Sequence, residues 1–116
     1  MGQVGDLQQA QKGEKMREAI SKNVDEMVSA IDGGKDAKSF APDAYDPYAF
    51  VMDANGTLVV HPTLAGQDLK QKAMPIYEAL QAATPEGKWI TYMWDGKEKN
   101  TYARKTGSNL IVASGY

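Results

Sequence analysis

The stretch YAFVMDANGTLVVHP, residues 48–62, restricts the fold of this chain more than any other. Two short apolar runs, Tyr48–Met52 and Thr57–His61, flank Asp53-Ala54-Asn55-Gly56, and an Asn-Gly pair between such runs is a strong hairpin signal. Pro62 has no N–H to give to a strand ladder, so it closes the second run. Any fold for this chain has to accommodate that antiparallel hairpin.

Upstream the hydrophobic period is helical. Met16, Ile20, Val24, Met27, Val28 and Ile31 fall on one stripe, and Asp32-Gly33-Gly34 ends it, because glycine adopts the left-handed conformation that closes many helices. Val4, Leu7 and Ala10 extend the stripe weakly across Gly13. The polar segment KDAKSFAPDAYDP reads as a loop or a short irregular helix. After Pro62 and a loop through Gly66, a second helix is predicted from about Gln71 to Ala83, with Ile76, Leu80 and Ala83 on one face; Thr84-Pro85-Glu86-Gly87 stops it. Three strands follow, Lys88–Trp94, Asn100–Lys105 and Asn109–Tyr116, with turns at Asp95-Gly96 and Thr106-Gly107. Helix, hairpin, helix and three-stranded meander predict an α+β domain in which helices cover a five-stranded antiparallel sheet. One domain accounts for all 116 residues, with residues 1–34 as the N-terminal helix and 48–116 as the sheet core. A chain this long buries about two-thirds of its unfolded surface and needs no staple to fold.

Thirteen Lys and Arg against fifteen Asp and Glu give a net charge of −2. General nucleic-acid binding needs a surplus of cations, so no nucleic-acid partner is expected. The absence of cysteine excludes disulfides, a thiolate nucleophile and cysteine-bound zinc. No apolar run approaches the ~20 residues of a membrane-spanning helix, and MGQVGDLQQAQKGEK lacks the apolar centre of a signal peptide. The Met-Gly start and the end at Ser114-Gly115-Tyr116 read as the edges of a fragment, so contact with a membrane is expected only through flanking segments outside these residues.

His61, the single histidine, ends a strand before a proline. It is either a half-buried ring satisfied by one hydrogen bond or a side chain turned toward a cleft. One histidine with scattered carboxylates lacks the clustered ligands of a metal site. A Ser–His–Asp relay has no nucleophile-elbow sequence beside it. Asp53–Gly56 resembles the start of a calcium loop, but valines stand where later ligands belong. No catalytic residue, metal or cofactor is expected. In WITYMW, residues 89–94, alternation sends Ile90, Tyr92 and Trp94 to one side of a strand and Trp89, Thr91 and Met93 to the other. With Lys99, Tyr102 and Arg104 following, three arrangements fit: packing on both faces, a platform for stacked bases, or a small-ligand pocket. In the pocket, Tyr92 and Trp94 would enclose an apolar body while a lysine or a tyrosine hydroxyl anchors a charge. The acidic balance opposes the platform.

These residues also occur in a familiar order. Tyr48-Ala49-Phe50-Val51-Met52-Asp53-Ala54-Asn55-Gly56 followed by Leu58-Val59-Val60-His61-Pro62 resembles the YxFvxDxxGxxxxHP hairpin of the single-Cache sensor domains, PAS-like extracytoplasmic modules of bacterial chemoreceptors and sensor kinases. Gly66-Gln67-Asp68-Leu69, Glu86-Gly87-Lys88-Trp89 with Tyr92-x-Trp94, Lys99-Asn100-Thr101-Tyr102 and Ala113-Ser114-Gly115-Tyr116 are similar to later motifs of that family, in the same order. The resemblance covers Tyr48 to the last residue. It implies a long N-terminal helix behind the sheet and a ligand pocket on the opposite face, covered by helix and loop. It also implies a small organic acid as ligand, no chemistry on it, a location on the periplasmic side of the membrane, and signalling in chemotaxis or two-component transduction.

On that basis Lys99, at the turn after the aromatic strand, is the expected carboxylate partner. His61 and Tyr102 are expected donors, and Phe50, Tyr92 and Trp94 the expected walls; Trp89 and Met93 would pack on the other face. Lys99 and Tyr102 have opposite parity on a regular strand, so a bulge or the turn is needed to bring both to one ligand. A stand-alone secreted or periplasmic binding protein of the same fold is the alternative, and an enzyme using His61 a third reading. The polar, glutamine-rich first turns of the N-terminal helix point to homodimerisation along it.

Overall fold

In the computed structural model, which describes residues 3–41, 43–45 and 47–116 and side chains from residue 14 onward, residues 48–62 form the required hairpin. Strands β1 (Ala49–Met52) and β2 (Leu58–Val60) pair antiparallel. The Asp53 carboxylate accepts from the backbone N–H of Asn55 and of Thr57, both at 2.9 Å, and Gly56 takes the positive φ of 93° that completes the turn. The pairing carries one irregularity. Val51 lies opposite Val60 while Met52 lies opposite Leu58, so Val59 is an extra residue in β2. Such a bulge reverses which face the following side chains take. Leu58 packs on one side of the sheet, Val60 on the other, and His61 returns to the side of Leu58.

The remaining elements are α1 (Gln3–Asp32), a 3-10 turn (Ala37–Ser39), α2 (Leu69–Leu80), β3 (Lys88–Trp94), β4 (Lys97–Lys105) and β5 (Ile111–Gly115). The five strands form one antiparallel sheet in the order β2-β1-β5-β4-β3. Helix α1 lies across β4 and β5 and buries Ile20, Val24, Met27 and Val28 against Ala49, Val51, Val60, Tyr102 and Val112. Its end closes as the glycines require: Lys35 N–H donates to Ala30 C=O at 2.9 Å while Gly34 sits at φ 111°. On the opposite face, α2 and the loop before it cover Phe50, Met52, Leu58, Ile90, Ala103, Ile111 and Ala113 with Leu69, Ile76, Leu80 and Ala83.

Several boundaries differ from the sequence expectation. Helix α2 starts at Leu69, because Asp68 caps it by accepting from Lys70 N–H at 2.9 Å. It breaks at Ala73 (φ −159°, ψ 71°), two residues before Pro75, whose ring and missing N–H interrupt the ladder. Strand β4 begins at Lys97. Asp95 and Gly96 both have positive φ, 54° and 77°, which makes a two-residue hairpin turn and leaves Lys97 paired with Trp94. Lys99 therefore lies within a strand instead of at a turn. Met93, expected to pack on the face opposite the pocket, is 62% exposed. It sits near the far end of edge strand β3, beyond the strands that α1 covers. The glutamine-rich turns on which dimerisation was expected have side chains outside those described.

Candidate functional site

Between the sheet and its α2-side cover lies a cavity lined by Tyr48 and Phe50, Leu58 and His61, Leu64, Leu69 and Ile76, Tyr92 and Trp94, Lys99 and Thr101, and Gly115. The space open to the centre of a water molecule is about 40 Å³, which exceeds the roughly 10–15 Å³ that a cavity needs to hold one water. Five of the six residues expected from the sequence meet here: Phe50, His61, Tyr92, Trp94 and Lys99. Tyr102 does not. Strand β4 runs in regular register against both neighbours, so Lys99 and Thr101 face the cavity while Tyr102 faces α1. There its hydroxyl donates to Glu86 C=O at 3.1 Å and lies 3.3 Å from the Asp25 carboxylate. The bulge that parity demanded is absent from β4; it occurs in β2, where it aims His61.

Among the described residues the lining holds one formal charge, Lys99. Among the described residues it takes no part in an ion pair, the one such pair there being Arg104–Asp25 on the α1 side. His61 stands edge-on to Tyr48 with ring centroids 5.1 Å apart and lies 6.0 Å from Phe50. Its Nδ1 accepts from the backbone N–H of Thr63 at 3.1 Å and of Leu64 at 3.0 Å. A neutral imidazole has one acceptor nitrogen, so the ring proton sits on Nε2. Burial lowers the His61 pKa from its ordinary 6.5, which favours the same neutral form.

Tyr92 oxygen accepts from the Thr101 hydroxyl at 3.0 Å, leaving its own O–H as a donor. Burial, the largest cause, raises the Tyr92 pKa, and burial does the same for Tyr48, so both phenols stay protonated. The polar groups on the wall are thus an ammonium, an imidazole N–H and phenolic O–H groups, set among Phe50, Leu58, Leu64, Ile76 and Trp94. That arrangement suits an anion with a small apolar body. It does not suit acid–base turnover at His61, because the backbone occupies the nitrogen that would take a proton. No group of three or more His, Asp or Glu side chains occurs among the described residues.

Sequence reasoning missed Tyr48, Thr101 and Gly115 as wall residues. Strand parity was the available signal: Tyr48 shares the face of Phe50, and Thr101 that of Lys99. Leu64, Leu69 and Ile76 come from the cover, whose path no local pattern specifies.

A family model described as Single Cache domain 2 matches residues 5–112. Among solved structures, a methyl-accepting chemotaxis protein from Vibrio parahaemolyticus RIMD 2210633 is similar, with a TM-score of 0.56 and 17% sequence identity over 97% of this chain and 94% of that one. At that identity the likeness is one of fold. No match was found among curated proteins.

Proposed function

Because the chain belongs to the single Cache domain 2 family of sensor domains, we propose that it is an extracytoplasmic sensor domain that binds a short organic carboxylate without turning it over, for output to chemotaxis or a kinase. The observation that carries this reading is a cavity whose described lining holds one formal charge, the cation Lys99, unpaired among the described residues, with N–H and O–H donors around it and no carboxylate. A buried anion is costly unless it is paired and hydrogen-bonded, and Lys99, the Nε2–H of His61 and the O–H of Tyr92 are groups able to do both. The fold shared with a chemoreceptor supports the sensing role.

The test is calorimetry and thermal unfolding with a panel of two- to five-carbon carboxylates, each beside its neutral amide. Saturation at about 100 times Kd adds about 2.7 kcal/mol to stability. At least one short acid is expected to raise the midpoint while its amide does not. A panel in which no acid acts at millimolar concentration, or in which the amides act equally well, removes the carboxylate reading.

A further inference from the structure

We propose that His61 is a positioning residue as well as a donor: its Nδ1 latches the Thr63–Leu64 turn over the cavity, and acid pH weakens ligand binding by releasing that latch. The proposal rests on the carboxylate reading for its effect on binding, but not for the latch itself.

The geometry is local. Two consecutive backbone N–H groups converge on one ring nitrogen at 3.1 and 3.0 Å, and the second belongs to Leu64, which lines the cavity. The far side of the same loop is fastened independently: Gly66 N–H donates to Leu58 C=O at 2.7 Å, and Leu58 N–H to Gln67 C=O at 2.9 Å. The loop is therefore hinged on β2 at one end and held by His61 at the other. With Nε2 already protonated, an added proton has only Nδ1 to bind, where it turns the acceptor into a donor facing two donors. Both bonds are lost together, and Leu64 keeps only the bond that its C=O accepts from Gln67 N–H at 3.0 Å and its packing against the α2-side core.

The groups that face His61 do not rescue the imidazolium. Among the described residues, Tyr48 and Phe50 from the β1 side stand against the ring, and the cavity they share with it adds Tyr92 from β3, Thr101 and the cation Lys99 from β4, and Leu64, Leu69 and Ile76 from the loop and α2, with no carboxylate. Burial acts in the same direction. A bound carboxylate would attract the imidazolium, so the latch and simple charge attraction predict opposite pH slopes.

The test uses the whole chain with acetate as probe, and two readouts. His61 is the only histidine, so its ring titration is assignable by NMR. In the ligand-free protein, lowering the pH from about 7 down through the ring titration, which burial sets below 6.5, should cut the exchange protection of the Thr63 and Leu64 amides in step with that titration, leaving Gly66 protected. Acetate affinity should fall over the same range, by at most about tenfold per pH unit for one linked proton. His61→Asn supplies an acceptor oxygen that takes up no proton, so its Thr63 and Leu64 amides should stay protected and its acetate affinity, whatever its size, should not vary with pH. Protection that persists while the ring titrates overturns the latch, as does acetate affinity that rises toward acid or a pH slope that survives in His61→Asn. If acetate binds at neither pH, the carboxylate reading loses support while the amide exchange still decides the latch.

Discussion

Tyr92 and Lys99 are direct cross-strand partners in the β3–β4 hairpin. Opposed residues of an antiparallel pair leave the sheet on the same face, with Cβ atoms about 5 Å apart, and both line the cavity. Thr101, two residues along β4 on that face, donates to the Tyr92 hydroxyl. The ammonium, the phenol and the group that orients the phenol are thus spaced by the ladder of one hairpin, not by a flexible loop.

That placement sharpens the expectation for Lys99→Ala. Removing one partner of a desolvated charge pair costs on the order of 2–5 kcal/mol of binding, so affinity for the acid identified in the panel should fall by well over tenfold. The side chain is half-buried and pairs with no carboxylate among the described residues, so the unfolding midpoint without ligand should scarcely move. Calorimetry on the variant checks the first outcome and a thermal scan the second; unchanged affinity would mean that another group anchors the acid.

Gly115 supplies a steric prediction. A Cβ there would clash with Thr101 Oγ1 and lie 2.8 Å from the Asn100 carbonyl oxygen, a backbone atom of the paired strand. Relief requires β5 to move off β4, and overpacking of this kind costs about 1–3 kcal/mol. Gly115→Ala should therefore lower the unfolding midpoint and also weaken ligand binding, because it displaces the hydroxyl that orients Tyr92. Gly107→Ala is the control: its added methyl meets nothing closer than 3.5 Å, and denaturant unfolding should show little change.

Much of this was legible before any coordinates. The Asn-Gly turn, the helical stripe and the parity of WITYMW follow from period and turn chemistry, and each has named partners, the stripe from Ile20 to Ile31 while Met16 stays exposed. What stayed hidden depends on register between distant segments. Tyr102 was drawn toward the site by its place in a motif, yet a regular β4 turns it to α1. The bulge at Val59 leaves no mark in TLVVH, because each of those residues suits either face; only pairing with β1 reveals the extra residue. Lys99 was expected at the turn, although Asp95-Gly96 is itself a two-residue hairpin signal, whose positive φ at both residues lets the ladder resume at once at Lys97.

The α1 face carries its own polar knot. Asp25 Oδ1 accepts from Arg104 Nη1 at 2.9 Å and lies 3.3 Å from the Tyr102 hydroxyl, while Arg104 Nε donates to Pro85 C=O at 2.6 Å. Arg104→Ala and Tyr102→Phe should each cost about 0.5–1.5 kcal/mol of stability. Because both act on one carboxylate oxygen, the double variant should depart from additivity, as a double-mutant cycle in urea would show. Neither change touches the cavity, so ligand affinity should hold. A large loss of affinity in Tyr102→Phe would instead restore the tyrosine to the site.

The two tryptophans of WITYMW lie on opposite faces of one strand, and their alanine variants should separate folding from binding. Trp89 packs on the α1 side, 5.4 Å from Tyr102 and 6.2 Å from Tyr116 between ring centroids, with the Arg17 guanidinium 4.8 Å above it. Trp94 joins the opposite core and walls the cavity. Fully buried tryptophans lose about 3–5 kcal/mol on truncation; both of these are half-buried, so a smaller loss is expected from each. Trp89→Ala should lower the unfolding midpoint and leave affinity at the wild-type value, measured well below the new midpoint. Trp94→Ala should lower the midpoint and, if the proposed acid lies against it, weaken that acid several-fold as well, because the change opens the cavity wall beside Lys99. Calorimetry on the pair decides between the roles: equal losses of affinity would mean that general destabilisation, not a wall at Trp94, accounts for the effect.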